Sequence, residues 1–196
     1  YSEDFWSLPS GDLGRDKELA KRVNEHLPED ISIVSEKSAD NTVEVIMPLI
    51  AEMYPDVKWA AWRLPSDENS IEFGNILADT AKIIGRRIAV IGSTDLTHYG
   101  PNYGFAPRES LKSPVAWVKE RDSRILQALS EFKGEKALEL AAEEHSACSA
   151  GAAVGAMIFA RNLGCSNGQI LNYATSKEVH PSSSFVGYGS IVWESV

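Results

Sequence analysis

An apolar run near the middle of the chain ends in a group of polar side chains that could do chemistry. Residues Ile88–Ile91 are apolar without alternation, the pattern of a strand buried on both faces of a parallel sheet. Asp95 and His98 follow, three residues apart, where ligands of open α/β sheets collect. A carboxylate beside an imidazole can fix the histidine tautomer, raise its basicity or support a metal ligand. The alternative is structural, with Asp95 capping the next turn and His98 satisfied within the fold.

A second candidate is Cys148, which precedes a segment rich in Ala and Gly. A helix N-terminus favours the thiolate, the form of cysteine that binds metals and attacks electrophiles. His145, three residues earlier, could share one helix face with Cys148. The competing interpretation makes Cys148 a small buried hydrophobe and His145 a solvated residue.

The composition is that of one soluble domain with a substantial core, since 43% of the 196 residues are apolar. A net charge of -9 argues against a protein that binds nucleic-acid phosphates. No apolar stretch approaches the roughly 20 residues that span a bilayer, and the first residues lack the pattern of a signal peptide. Cys148 and Cys165 are too few for a disulfide framework or a zinc cage. We therefore expect a cytoplasmic protein with no nucleic-acid or membrane partner.

The elements that would position these residues alternate between strand and helix, with no repeat or linker. Apolar runs predict strands over Ile31–Val34, Val57–Leu64, Arg87–Gly92, Ile170–Tyr173 and Phe185–Trp193. Helical spacing predicts helices over Asn41–Tyr54 with a kink at Pro48, Ile71–Ile84 closed by Gly85, Val115–Phe132, Glu135–Glu144, and Ala147–Leu163 ended by Gly164. The prediction is a single α/β domain over residues 1–196, with a mainly parallel or mixed central sheet flanked by helices.

Five sequence blocks, in order, resemble one family. They are Trp6-Ser-Leu-Pro-Ser-Gly-Asp-Leu, Asn41-Thr-Val-Glu-Val-Ile-Met-Pro-Leu, Gly92-Ser-Thr-Asp-Leu-Thr-His-Tyr-Gly-Pro, Ala147-Cys148 before a small-residue helix, and Leu171-Asn-Tyr-Ala-Thr-Ser with Val186-Gly-Tyr. From about Trp6 to Trp193 the chain resembles the Memo family, which includes protein B of the AmmeMemoRadiSam system. That resemblance implies the fold of the class III extradiol ring-cleavage dioxygenases, whose non-haem Fe(II) opens catechol rings with O2.

The resemblance also implies roles for the candidate residues. Cys148 matches the family's cysteine metal ligand, and His98 matches the histidine comparable to the dioxygenases' acid/base residue. Asp95 matches the aspartate of the same block and would orient His98. The family's two N-terminal histidine motifs are absent, so we expect a fragment or truncated homologue whose first strands and two metal ligands lie outside these residues. The family's Glu-His-Ser-x-Glu block begins with Asp40-Asn41 here, so an active-site histidine has become Asn41.

Two functional hypotheses follow. The first is a metal-dependent dioxygenase-like oxidoreductase, with Fe(II), Cu or Zn as candidate ions and part of the metal site contributed by this chain. The second is a metal-free binding or scaffold protein with the same cleft, which Asn41 favours. The ligand in the cleft is expected to be a small molecule or a peptide. The sequence leaves open whether the protein forms a homo-oligomer. A plain hydrolase is disfavoured, because no Gly-x-Ser-x-Gly turn occurs.

Overall fold

The computed structural model describes residues 4–9, 11–28 and 42–194. The predicted strand Ile31–Val34 and the substituted position Asn41 lie outside these ranges. The backbone divides into two compact units, Tyr1–Arg63 with Asp79–Ile88, and Leu64–Ala78 with Ala89–Val196. Asp95, His98 and Cys148 all belong to the second unit, while the assignment of residues 1–196 to one domain stays a prediction.

The first unit packs around the indole of Trp59. Its elements are β1 (Phe5–Trp6), β2 (Leu13–Gly14), α1 (Lys17–Asn24) and α2 (Val43–Met53), with β1 and β2 antiparallel. The buried Trp59 donates its ring N–H to the Leu13 carbonyl at 2.9 Å and meets Trp6 edge to face. The helix α1 begins where the Asp16 carboxylate accepts the Leu19 N–H at 3.0 Å, a side-chain N-cap.

The second unit combines several helices with a small sheet. Its elements are β3 (His98–Tyr99), α4 (Pro114–Ser130), α5 (Gly134–Glu144), α6 (Ala150–Asn162), β4 (Gly168–Thr175), α7 (Ser176–Val179) and β5 (Phe185–Trp193). The helix α3 (Asn69–Ile84) runs from residues of this unit into those of the first. The strand order is β3-β5-β4 and both ladders are antiparallel.

Apolar faces of these helices form the main core of the second unit. One cluster joins α4, α5 and α6 with Leu96, and fully buried members include Ile125, Val154 and Met157. A smaller cluster of Tyr99, Val118 and Phe185 lies directly behind β3. This packing fixes the strand that carries His98. Within the described residues, no helix is both long and apolar enough to cross a membrane.

The predicted helices are confirmed in place, with ends shifted by a few residues. The helix α2 falls within the predicted Asn41–Tyr54 and continues through Pro48. Gly85 and Gly164 take positive φ angles of 62° and 93° just beyond α3 and α6, the left-handed geometry that glycine permits at helix ends. The strands predicted at Ile170–Tyr173 and Phe185–Trp193 are also confirmed.

The mixed α/β class is confirmed, whereas the mainly parallel or mixed central sheet is not, because the ladders of the described residues are antiparallel. Within the described residues, Val57–Leu64 forms only an isolated parallel bridge from Trp59 to Arg15, and Arg87–Gly92 joins no ladder. Burial on both faces of Ile88–Ile91 is wrong, since Ile91 is 60% exposed. An apolar run becomes a strand only when a neighbouring backbone pairs with it, and local sequence does not report that neighbour.

Candidate metal centre

Three chain segments of the second unit bring Asp95, His98 and Cys148 together. Asp95 lies in the irregular segment that precedes β3, and His98 is the first residue of β3. His98 pairs with Val186 of β5, so the main sheet positions its backbone. Cys148 lies just before α6, whose N-cap is Ser149. The helix thus begins three residues later than Ala147, where the sequence placed its start.

The donor atoms of these three side chains converge. One carboxylate oxygen of Asp95, one ring nitrogen of His98 and the sulfur of Cys148 all lie within 4.8 Å of one another. Asp95 Oδ2 and His98 Nε2 are 3.2 Å apart. The side chains of His98 and Asp95 are 34% and 44% exposed, and Cys148 is exposed, so the cluster opens to solvent. Both the predicted Asp–His pair and its meeting with Cys148 are present in the structure.

His145 does not join this cluster. It ends α5 in the left-handed conformation, with φ of 53°, and its ring meets Phe105 edge to face at 5.4 Å. The suggested helix face shared with Cys148 is wrong, because neither residue lies within α6.

Backbone hydrogen bonds link the two segments that supply the carboxylate and the thiol. The Cys148 N–H donates to the Asp95 carbonyl at 3.1 Å. The next amide, Ser149 N–H, donates to Thr94 Oγ1 at 2.9 Å. The same hydroxyl lies 2.9 Å from the Asp95 carbonyl, to which it donates, and 3.8 Å from Cys148 Sγ. We call this set of contacts the Thr94 clasp.

A buried carboxyl lies beneath the site strand. Asp122, on α4, is fully buried and accepts hydrogen bonds from Thr97 N–H at 3.2 Å and Thr97 O–H at 2.6 Å. Its other oxygen accepts the Tyr173 O–H at 2.8 Å. Burial raises the pKa of Asp122 above its ordinary value, although the bonds from Thr97 and Tyr173 act in the opposite direction. Burial and the neighbouring Asp122 both raise the pKa of Tyr173.

Two tyrosines lie beside the cluster. The Tyr103 ring is 4.9 Å from the His98 ring, in a tilted arrangement. Tyr188 lies on β5, and its pKa is raised by burial first and then by the negative charge of Asp95 and by Tyr103. Sequence reasoning missed both tyrosines, since each reaches the site only through the fold. It also missed Asp122, although a carboxylate in the apolar stripe Val118, Asp122, Ile125 was a visible signal.

The donor set fits a transition-metal ion. Thiolate and imidazole are ligands of Zn, Cu and Fe, whereas Mg²⁺ and Ca²⁺ take oxygen ligands. Catalytic zinc sites have three protein ligands and keep a fourth position open to solvent. The cluster offers the same number of protein donors, and it is open to solvent. The cluster combines a carboxyl, a thiol and an imidazole, which are the side chains that most often ligate such ions. The sequence assigned Asp95 only to orienting His98, whereas the geometry also places it among the available donors.

Fold and site together define an α/β protein with a solvent-open Asp, His and Cys group that could hold a metal ion. The chain belongs to the Memo family, because the family model described as "Memo-like protein" matches residues 1–192.

Three relatives extend the same similarity. A MEMO1 family protein of Pyrococcus furiosus is 32% identical over 203 residues, which cover 98% of this chain and 69% of the relative. One from Thermococcus onnurineus is 30% identical over the same shares. A third, from Nitrosopumilus maritimus, is 30% identical over 95% of this chain and 64% of the relative. The family resemblance seen in the sequence blocks is therefore confirmed.

Proposed function

We propose that this chain contributes part of the metal-dependent active site of an oxidoreductase of the class III extradiol dioxygenase type, with the corresponding fold. The observation that carries the proposal is the convergence of the Asp95, His98 and Cys148 donors within 4.8 Å. Family membership supports it, because the resemblance assigns a metal ligand to the position of Cys148.

Each residue has a separate role in this proposal. The Cys148 thiolate would hold the ion, and Fe(II), Cu and Zn suit that ligand. When bound, such an ion supplies Lewis-acid activation of a substrate oxygen, and iron or copper adds redox chemistry. The His98 imidazole would take or return a proton at a substrate hydroxyl. The Asp95 carboxylate, 3.2 Å from Nε2, would hold the ring in the orientation and tautomer needed.

Metal binding is the first test, with Co²⁺ as the probe and elemental analysis after removal of free ion. We expect about one cobalt per chain, as a single site requires. Cys148→Ala should lose at least about tenfold in cobalt affinity, because the anchoring ligand is gone. The matched control is Cys165→Ala, which removes the other, buried cysteine and should keep the metal. Equal cobalt in wild type and Cys148→Ala would contradict the site.

Catalysis is tested separately, by oxygen uptake of the Fe(II)-loaded chain with catechols. His98→Ala should keep most of the bound metal and lose about 100-fold or more in rate, the size typical of a lost acid/base residue. If His98→Ala loses cobalt as fully as Cys148→Ala, His98 is a ligand and its acid/base role is wrong. If the wild type binds neither cobalt nor iron, the metal-free binding or scaffold protein is the better description of the cleft.

A further inference from the structure

One side chain of the Thr94 clasp touches both segments that carry acidic donors. Thr94 Oγ1 accepts the Ser149 N–H at 2.9 Å, and it lies 3.8 Å from Cys148 Sγ, within reach of a hydrogen bond to the larger sulfur atom. Its hydroxyl also donates to the Asp95 carbonyl at 2.9 Å. We propose that Thr94 is a positioning residue that holds the Cys148 sulfur beside Asp95 and serves as its hydrogen-bond partner.

The donor and acceptor capacity of a hydroxyl matches these contacts. A threonine hydroxyl has one proton to donate and two lone pairs to accept. The Ser149 N–H fills one lone pair, and a Cys148 S–H can fill the other while the hydroxyl proton goes to the Asp95 carbonyl. When the sulfur is a thiolate, the hydroxyl proton has a charged acceptor within reach and can turn to it. Thr94 therefore suits both states of the sulfur without leaving a polar group unpaired.

Cys148 needs such a partner because little else restrains it. Its side chain is exposed and it lies outside α6, so neither core packing nor a helix fixes its rotamer. Its own N–H is tied to the Asp95 carbonyl, which aligns the backbones but leaves the sulfur free to rotate. Among the described contacts of the sulfur, the Thr94 hydroxyl is the polar group in reach. Hydrogen bonds around a ligand commonly change metal affinity by about 10–100-fold.

The role rests on the proposed metal site, and two substitutions separate it from simple packing. Thr94→Val keeps the branched shape of the side chain and removes the hydroxyl. Thr94→Ser keeps the hydroxyl and removes a methyl group. Thr80→Val applies the first change to a buried threonine of the first unit, outside the site. All three are made in the 196-residue chain, with Co²⁺ as the probe.

Two readouts are needed, one with metal and one without. With Co²⁺, we expect Thr94→Val to bind about 10-fold or more weakly and to shift the sulfur-to-cobalt charge-transfer band to lower energy. The shift follows because a hydrogen bond lowers the energy of the sulfur electrons, and its loss raises it. Without metal, amide hydrogen exchange at Ser149 should accelerate, because its acceptor is gone. Thr94→Ser and Thr80→Val should match the wild type in both.

The outcomes distinguish this inference from the proposed function. If the wild type shows the thiolate band and Thr94→Val leaves its energy and the cobalt affinity unchanged, Thr94 does not act on the sulfur and the inference is wrong. If the wild type binds no cobalt, the proposed function is wrong, and so is the predicted effect of Thr94 on cobalt affinity and on the charge-transfer band. In that case unchanged exchange at Ser149 in Thr94→Val would overturn the positioning role as well, while faster exchange would uphold it.

Discussion

At the scale of single residues, Asp122 is a buried carboxyl whose charged form is disfavoured by its surroundings. Its side chain is fully buried, yet Thr97 and Tyr173 satisfy both oxygens at 2.6–3.2 Å. Burial disfavours the charged form, and the raised pKa of Asp122 is the consequence. Because Thr97 directly precedes His98, this carboxyl also anchors the backbone that presents the imidazole.

The raised pKa of Asp122 predicts a pH dependence of stability with a defined sign. The folded state holds the carboxyl proton more tightly than the unfolded chain, whose reference pKa is 3.8. The resulting stabilisation is complete below that value and is lost as pH rises through the higher folded pKa. Asp122→Asn is nearly isosteric, does not titrate, and can still bond Thr97 and Tyr173. We therefore expect the wild type to lose free energy of unfolding relative to Asp122→Asn as pH rises above about 4 and through the raised folded pKa.

Urea unfolding of both proteins across that range measures the difference. At about pH 7 we expect Asp122→Asn to lie within about 1 kcal/mol of the wild type or above it. Asp56→Asn, at an exposed carboxyl, is the matched control and should show no comparable trend. A wild type that gains on Asp122→Asn as pH rises would contradict the assignment of burial as the dominant cause.

At the scale of elements, β5 must pass very close to α4 for the site to form. A Cβ built on Gly187 would lie 1.9 Å from Asp122 Oδ2 and 3.2 Å from the Tyr173 hydroxyl. The same residue exchanges backbone bonds with the site segment, since Leu96 N–H donates to its carbonyl and its N–H donates to the Thr97 carbonyl, each at 3.0 Å. Gly187 is thus required by close approach and not by an unusual φ angle.

Gly187→Ala should therefore destabilise the chain by about 2–4 kcal/mol, because the methyl group must displace the buried carboxyl or separate β5 from α4. The comparison is Gly14→Ala in β2, where a Cβ meets no atom within 4 Å and the expected change is within about 0.5 kcal/mol. Thermal and urea unfolding measure both. Similar stability of the two variants would show that β5 can move away from α4 at little cost.

The elements also show what sequence could predict. Helical spacing and the glycines at 85 and 164 located α3 and α6, because both signals are local. The runs Val57–Leu64 and Arg87–Gly92 have the composition of strands, but pairing depends on a neighbouring strand whose position in the chain local sequence does not report. Likewise, the three-residue spacing was enough to predict that Asp95 and His98 lie side by side. The approach of Cys148 is a tertiary contact, and it was expected only from the family resemblance. The proposed role of Thr94 depends on its contacts with the distant Cys148 and Ser149, and the sequence predicted no role for it.

At the scale of the whole molecule, the candidate site belongs to the second of two compact units. A ligand stabilises the residues whose folding creates its site, by about 2.7 kcal/mol when its free concentration is about 100 times Kd. Co²⁺ should therefore slow amide exchange by up to about 100-fold in the site segments of the second unit, residues 93–99 and 147–150. In α1 and α2 of the first unit we expect little change.

Hydrogen exchange with mass spectrometry, with and without Co²⁺, tests this prediction. In Cys148→Ala the protection should disappear from both segments together, since the ion depends on that ligand. Protection spread equally over α1 and α2 would contradict a site confined to the second unit.

The placement of the three donors along the chain has a consequence for refolding. Asp95 and His98 are three residues apart and can meet in an unfolded chain at small entropic cost, whereas Cys148 lies beyond α4 and α5. The Cys148 sulfur, which would hold the ion, comes beside the carboxylate and the imidazole only once both helices have docked. An ion bound early in refolding would therefore sit on the sulfur alone, and the cobalt spectrum in a stopped-flow experiment would reach its native form only at a late event, the closure of the chain around α4 and α5.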